Sequence, residues 1–315
     1  MESAAERDSR SWPDVVIGRP GGCCGGVERA IKAYTQFHPQ YSVGEPAHNP
    51  VVIQQFKDQG VVFVDSIAQV PKGVKVAFGP HGHTAQDVEE AEQNGDTYLL
   101  TECPYVTSVK SEIAANTEAG IITIYYGQKD KAGNLHPETR AALSAGDTVL
   151  VTSLEEALVL DVSDPEKVGF ACQTTHNADS VAAIAEKLRD KYPALKMRPK
   201  TDLCPATRNR QLAAKSVSAD ITVIVGDWQT SSNTRSLADR ALENGRVFVV
   251  NTRDELKPEH FFGRRMVGII GSASATQEQM EGVIGFFTER GSEKGELVVA
   301  DEKTNFPVPQ IHNPS

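Results

Sequence analysis

The sequence has no run approaching about eighteen consecutive apolar residues, so no membrane-spanning helix is expected. Its opening segment, Met1 to Asp14, contains no apolar stretch of the kind a secretory signal needs. That segment also carries Glu2, Glu6, Asp8 and Asp14, whereas organelle transit peptides are poor in acids. Residues 1–13 therefore read as a disordered tail and the protein as cytoplasmic. Positive charge is in short supply: 32 Lys and Arg stand against 42 Asp and Glu, a net charge of −10, so neither nucleic acid nor an anionic membrane is an expected partner. Cysteine is scarce and odd in number, five in all, and no Cys-x-x-Cys pair occurs, which argues against a disulfide scaffold, a zinc ribbon and a local redox dithiol. A nucleotide-binding glycine fingerprint is missing as well, because Gly21-Gly22-Cys23-Cys24-Gly25-Gly26 lacks the G-x-G-x-x-G spacing.

An internal repeat organises the rest. Cys24 ends the extended run Val15 to Gly18 and precedes a helical pattern, Val27 to Phe37; an extended stretch then reaches Gly44-Glu45 and His48-Asn49-Pro50. Cys103 follows Thr97 to Leu100 and precedes the helical Thr107 to Ala119, the strand-like Ile121 to Tyr126, and His136-Pro137-Glu138. Cys204 follows Leu195 to Thr201 and precedes the helical Arg208 to Ser218, the strand-like Ile221 to Val225, and Ser231-Ser232-Asn233 before the helical Arg235 to Leu242. Each copy adds a second strand, Val74 to Phe78, Val168 to Ala171 or Val267 to Ile270, which stops at small or polar residues and turns into a helix. Continuous apolar runs alternating with helices predict parallel strands covered on both faces. Three α/β units follow, here cut as 14–102, 103–200 and 201–290, with a C-terminal strand and tail over 291–315.

Ligand sites in such sheets lie outside the carboxyl ends of the strands, near helix N-termini, where all the residues just named fall. If three units meet around a pseudo-threefold axis, each brings one cysteine and two polar elbows to a common centre. A thiolate before a helix is stabilised by the helix dipole. Three of them suit either a zinc ion with an open position or a 4Fe-4S cluster with one iron unbound by protein. The polar elbows supply His48, His81, His136, Ser231, Ser232, Asn233 and Ser274 as donors and one nearby acid, Glu138, an inventory suited to a phosphorylated ligand. Singly, Ser231 to Asn233 would read as helix caps, and each histidine as a surface or packed residue. Recurrence in three units lifts them above that. Cys172 reads as a small apolar filler, and Cys23 as either a packed neighbour or a substitute for Cys24.

Over Val15 to Pro307 these residues resemble the IspH/LytB family, the 4-hydroxy-3-methylbut-2-enyl diphosphate reductases of the non-mevalonate isoprenoid pathway. The resemblance rests on Cys24 to Ala30, Glu45 to Asn49, Pro80-His81-Gly82, Cys103 to Thr107, His136-Pro137-Glu138, Gln173-Thr174-Thr175, Cys204 to Gln211, Ser231-Ser232-Asn233 and Gly271 to Ser274, all in order. It implies a trefoil of three α/β domains around a 4Fe-4S cluster held by Cys24, Cys103 and Cys204. It further implies a reductive dehydroxylation of an allylic diphosphate, fed by ferredoxin or flavodoxin. His48, His81, Ser231, Asn233 and Ser274 would hold the diphosphate with His136, Ser232 and Thr174. Glu138 would deliver the proton through Thr174 and the substrate's own diphosphate, with His136 also counted as catalytic.

The chain also departs from the pattern it resembles. Gly21-Gly22-Cys23 stands where Arg-Gly-Phe is usual, Gly44-Glu45 where His-Glu is, Thr139-Arg140 where Glu-Gly is, and the polar Gln128 to Asn134 replaces a short glycine turn. These departures keep open a paralogue that dehydroxylates a different substrate. Readings from other classes are a cluster-bearing sensor or electron carrier and a zinc protein. An electron carrier would need neither the donor-rich elbows nor Glu138, and a nucleic-acid regulator would need a basic surface.

Overall fold

The computed structural model describes residues 12–130, 132–198, 202–302 and 306–314; the expected tail over 1–13 lies almost wholly outside them. From its start the chain forms β1 (Asp14–Arg19), α1 (Gly25–Phe37), β2 (Tyr41–Val43), α2 (Pro50–Asp58), β3 (Val62–Val64), β4 (Lys75–Phe78), α3 (Ala85–Gln93) and β5 (Thr97–Leu100). After Cys103 come α4 (Pro104–Glu118), β6 (Ile122–Tyr126), α5 (Pro137–Leu143), β7 (Thr148–Val151), α6 (Leu154–Val159), β8 (Val168–Cys172), α7 (Ala178–Lys191) and β9 (Lys196–Met197). After Cys204 come α8 (Pro205–Ser216), β10 (Ile221–Val225), α9 (Ser232–Leu242), β11 (Arg246–Val250), β12 (Met266–Gly271), α10 (Gln277–Thr288), β13 (Lys294–Val298) and β14 (Gln310–His312).

The elements follow from the pattern. α1 buries Val27, Ala30, Tyr34 and Phe37, a three-four-three spacing that lines one helical face. β8 and β10 are buried at every residue, as strands covered on both faces must be. In the stretch Leu195 to Thr201 ahead of Cys204 a short strand forms at Lys196–Met197, and residues 199–201 lie outside the described residues. α9 begins at Ser232 rather than Arg235, because Ser231 caps it by accepting from the Thr234 amide at 3.2 Å.

Among the described residues three sheets form, ordered β11-β10-β12-β1-β13, β14-β5-β4-β2-β3 and β7-β6-β8-β9, and every strand pair there is parallel except β14 with β5. The mainly parallel α/β class expected from the sequence is what forms. The sheets do not follow the expected cuts of 14–102, 103–200, 201–290 and 291–315. β1 is not in a sheet with β2 to β5: it pairs in register with β12 (Val15 opposite Val267, Ile17 opposite Ile269) and with β13. β14 leaves the C-terminal stretch and lies on β5. The cause is hydrophobic matching at long range. Val15, Ile17, Val223, Val267, Ile269, Phe261 and Phe287 form one core that a contiguous cut would split.

The chain divides into two compact units. One comprises the described residues within Met1–Cys24, His48–Val51 and Pro205–Thr304, and the other those within Gly25–Ala47, Val52–Cys204 and Asn305–Ser315. Two of the points where the chain passes from one unit to the other are Cys24 and Cys204. Each cysteine follows a strand of one sheet and precedes a helix leading to the next: Cys24 lies between β1 and β2, Cys103 between β5 and β6, and Cys204 between β9 and β10. The connectivity is thus cyclic, and the repeat seen in the sequence is a repeat of sheet-to-sheet crossings.

In the first unit Phe287 is fully buried and meets the Phe261 ring at 4.9 Å and 82° and the Phe286 ring at 5.1 Å and 79°. Replacing Phe287 by Ala should lower stability by about 3–5 kcal/mol in urea unfolding. Val159→Ala, at a side chain 79% exposed, should change it by no more than about 0.5 kcal/mol.

Candidate functional site

In the first unit the site is built around the end of β12. A Cβ on Gly271 would come within 2.4 Å of the Gly22 amide, so only glycine lets the loop before Cys24 lie against this strand end. The Cys24 amide donates to the Ala273 carbonyl at 3.0 Å. The Ala273 amide in turn donates to Asn233 Oδ1 at 2.8 Å. Asn49, next to His48, donates from Nδ2 to the Ser274 carbonyl at 2.7 Å and to Gln279 Oε1 at 2.7 Å. Ser272 and Ser274 hydroxyls meet at 3.1 Å. The predicted residues Cys24, His48, Ser231, Ser232, Asn233 and Ser274 are therefore assembled in one unit by short backbone and side-chain links.

Ser231, Ser232, Asn233 and Ser274 are all buried, His48 is half-buried, and Ser232 and Asn233 open α9. With Asn233 Oδ1 occupied by Ala273, its Nδ2 is a buried donor that has no hydrogen-bond partner among the described residues. A buried donor left this way costs stability unless something accepts from it. At the start of an eleven-residue helix, an anion is the natural acceptor. The expected capping role of Ser231 and its expected place at the site are compatible, since the side chain caps through Oγ.

The second unit holds His81, Cys103, His136, Glu138, Thr174 and Cys204. The Cys103 amide donates to the Pro80 carbonyl at 3.0 Å, which ties the cysteine to the residue before His81. Gly82 has φ +113°, and a Cβ there would stand 2.7 Å from the Ala141 Cβ, so glycine brings this elbow against α5, the helix that carries Glu138. The His81 and His136 rings lie 5.9 Å apart at 72°. His136 caps α5 by accepting the Glu138 amide on Nδ1 at 3.2 Å, which leaves its other ring nitrogen as the N–H donor of the neutral ring.

Glu138 is 2% exposed. Its two carboxyl oxygens accept the Thr174 amide at 2.7 Å and the Thr174 hydroxyl at 2.9 Å. The Thr174 carbonyl accepts the Cys204 amide at 3.2 Å. One residue thus grips the acid on one side and a cysteine elbow on the other. Burial pushes the Glu138 carboxyl up to about 8; the two Thr174 hydrogen bonds pull against this, and the negative charges of Asp202 and Glu102 add to it. His176 stacks on Tyr126 with centroids 3.9 Å apart, and burial lowers it to about 4, so it stays neutral.

The expectation of one nearby acid was too few. Glu102 and Asp202, just before Cys103 and Cys204, are held inside the fold by cations. Glu102 accepts from Lys110 Nζ at 2.8 Å, Thr107 Oγ1 at 2.8 Å and the His83 amide at 3.2 Å. Asp202 accepts from the Cys172 amide at 2.9 Å and Arg198 Nη1 at 3.0 Å. The acids ahead of Cys103 and Cys204 were visible in the sequence; what kept them inside was not. Cys172 packs in the core with Phe170, Ile184 and Leu188, as a small apolar filler does.

All five cysteines are thiols, and three stand directly before α1, α4 and α8. Among the described residues no group of three or more His, Cys, Asp or Glu side chains could hold a single metal ion. A 4Fe-4S cluster asks something different, because each thiolate binds a different iron.

Comparisons with known proteins agree with the sequence reading. The family model described as LytB protein matches residues 15–288. A 4-hydroxy-3-methylbut-2-enyl diphosphate reductase from Xanthomonas euvesicatoria pv. vesicatoria (strain 85-10) is 32% identical over 294 residues, covering 89% of this chain and 90% of its own. The enzyme of that name from Bordetella pertussis is 33% identical over 312 residues, covering 94% and 93%. Among solved structures, the E-1-hydroxy-2-methyl-but-2-enyl-4-diphosphate reductase from Plasmodium falciparum superposes with a TM-score of 0.86 at 24% identity over 96% of both chains, a likeness of fold. An (E)-4-hydroxy-3-methyl-but-2-enyl diphosphate reductase, titled the terminal enzyme of the non-mevalonate pathway, gives 0.61 at 27% identity over 88% of this chain and 99% of that one.

Because the carboxyl of Glu138 is raised from about 4.5 to about 8, the protonated form is the one the fold favours. Its contribution to stability is complete below the unfolded value and is lost as pH rises through the folded one. Stability of the native chain should therefore fall between about pH 5 and about pH 8.5, and Glu138→Gln should flatten that slope in urea unfolding. Parallel profiles would show that Glu138 is ionised throughout.

Proposed function

From the premise that the chain belongs to the LytB family, we propose that it is a 4Fe-4S reductase that removes the hydroxyl group of 4-hydroxy-3-methylbut-2-enyl diphosphate. The reaction takes two electrons and two protons and yields isopentenyl and dimethylallyl diphosphate with water. Cys24, Cys103 and Cys204 would hold the cluster, whose chemistry when bound is to supply electrons and a Lewis-acidic iron to the departing hydroxyl. The observation that carries the reading is the Glu138–Thr174 pair: an acid buried and held mostly protonated near neutrality, on the same residue that fixes the Cys204 amide.

The side chains divide the work. Asn233 Nδ2, the Ser231, Ser232 and Ser274 hydroxyls and the start of α9 offer donors of the kind a diphosphate accepts. His48, His81 and His136 add imidazole donors, which bind more strongly as cations once an anion faces them. Glu138 holds the proton. The hydroxyl of Thr174 can reverse its hydrogen bond, accepting the carboxyl proton on Oγ1 while passing its own outward, so the proton reaches the leaving hydroxyl without the carboxylate having to touch it. Burial of the pair excludes water that would compete for that proton. The electron donor is a ferredoxin or flavodoxin, since the sequence has no flavin or nicotinamide fingerprint, and the setting is the cytoplasm.

The test is turnover of the anaerobically reconstituted chain on 4-hydroxy-3-methylbut-2-enyl diphosphate with a reduced dye. Wild type should form both products, and Glu138→Gln should lower kcat by about 10²–10⁴-fold with the visible cluster spectrum intact. Asn233→Ala, which removes a donor to a charged group, should act on KM, raising it about tenfold or more. A chain with a full cluster and no turnover would contradict the proposed substrate.

A further inference from the structure

Arg210, on the face of α8, is one of the largest side chains in the protein to be fully buried, and nothing above gives it a task. A buried guanidinium must find partners for its donors, and here each of its three nitrogens has at least one. Nε and Nη2 donate to the Gly22 carbonyl at 3.3 and 2.7 Å. Nη1 donates to the Ala206 carbonyl at 3.2 Å, and to both carboxyl oxygens of Glu302 at 2.9 and 2.7 Å. Glu302, itself largely covered, also accepts from Asn209 Nδ2 at 3.2 Å.

Gly22 is two residues before Cys24, inside the run Gly21-Gly22-Cys23-Cys24-Gly25-Gly26. Four glycines in six residues give a loop with little stiffness of its own, because each has more backbone freedom to lose than any other residue. Gly22 sits at φ +85°, a left-handed geometry that a glycine adopts and leaves with equal ease. A thiolate displayed from such a loop keeps one direction only if something outside the loop holds it. Two holds are present: the Cys24 amide on Ala273, and the double hydrogen bond from Arg210 to the carbonyl of Gly22.

We infer that Arg210 is a positioning residue for Cys24: with Glu302 as its buried counter-charge, it clamps the Gly22 carbonyl and so fixes the direction of the first thiolate. The inference rests on Cys24 being a cluster ligand, which the Proposed function assigns. Glu302 comes from the segment after β13, so the clamp makes that segment part of the first cysteine loop's support.

The experiment uses the full chain. Removing one charge alone would strand the other inside the protein, so Arg210→Met is combined with Glu302→Gln, a pair that removes both charges together and should keep the fold. The exposed ion pair of Arg253 with Glu289, in the same unit, is broken by Glu289→Gln as a control. Amide hydrogen exchange over residues 20–24 is followed in the metal-free chain, and loss of iron to a chelator in the reconstituted one. In the double variant both should quicken by about tenfold or more, the change expected when a hydrogen bond to a charged group is lost, at unaltered circular dichroism. Glu289→Gln should alter neither. Should the double variant fold normally and exchange residues 20–24 at the wild-type rate, the clamp is refuted. Should exchange quicken while even the wild type takes up no iron, the clamp stands and the cluster assignment falls.

Discussion

A carboxyl group taken out of water must be met by hydrogen bonds or keep its proton, and Glu138 is placed so that it does both. Among the described residues its donors are the amide and hydroxyl of Thr174, too few to offset burial, so the group stays largely protonated near neutrality. Thr174 lies just past the end of β8, and its carbonyl takes the Cys204 amide. The position of the acid, the hydroxyl that can relay its proton and the third cysteine elbow are therefore set by one residue at one strand end. Asp202 reinforces this, because its carboxylate accepts the Cys172 amide two residues upstream on the same elbow.

The other elbows use the same device: a backbone amide just past a strand is held by a carbonyl of a neighbouring elbow, and a glycine lets the two approach. Cys24 on Ala273 with Gly271 beneath Gly22, and Cys103 on Pro80 with Gly82 against Ala141, are the counterparts. Side chains that face a ligand are thereby freed from holding the fold together. Where a polar side chain does both, as Asn233 does, one atom is spent on the structure and another has no partner among the described residues.

The strands and the cysteine elbows were legible in the sequence because their signals are local. Apolar runs such as Ile221 to Val225 can be little else than buried strands, and a cysteine followed by a helical pattern marks a strand-to-helix turn. The sheet partners of β1 and β14 were not legible, since they are chosen by side chains some 250 and 210 positions away, and periodicity says nothing about such distances. The buried acids escaped for a related reason. Glu102 and Asp202 look solvent-exposed until Lys110 and Arg198 are folded over them, and Arg210 finds Glu302 across 92 positions. The repeat put Cys24 in one unit and Asn233 and Ser274 in another, whereas the fold holds all three in one compact unit. The atom that makes this grouping informative, an Asn233 Nδ2 with no acceptor among the described residues, could be identified only once Ala273 was seen to take the other end of that amide.

The central claim is that Cys24, Cys103 and Cys204 together hold one 4Fe-4S cluster whose fourth iron is left for the substrate. Mössbauer spectroscopy of the iron-57 protein, purified without oxygen, addresses it most directly. The account predicts a cluster spectrum in which one iron site differs from the others and shifts when 4-hydroxy-3-methylbut-2-enyl diphosphate is added, with the whole spectrum lost when any one of the three cysteines is replaced by serine. A spectrum of equivalent irons indifferent to that diphosphate, or one that survives such a replacement, would contradict it.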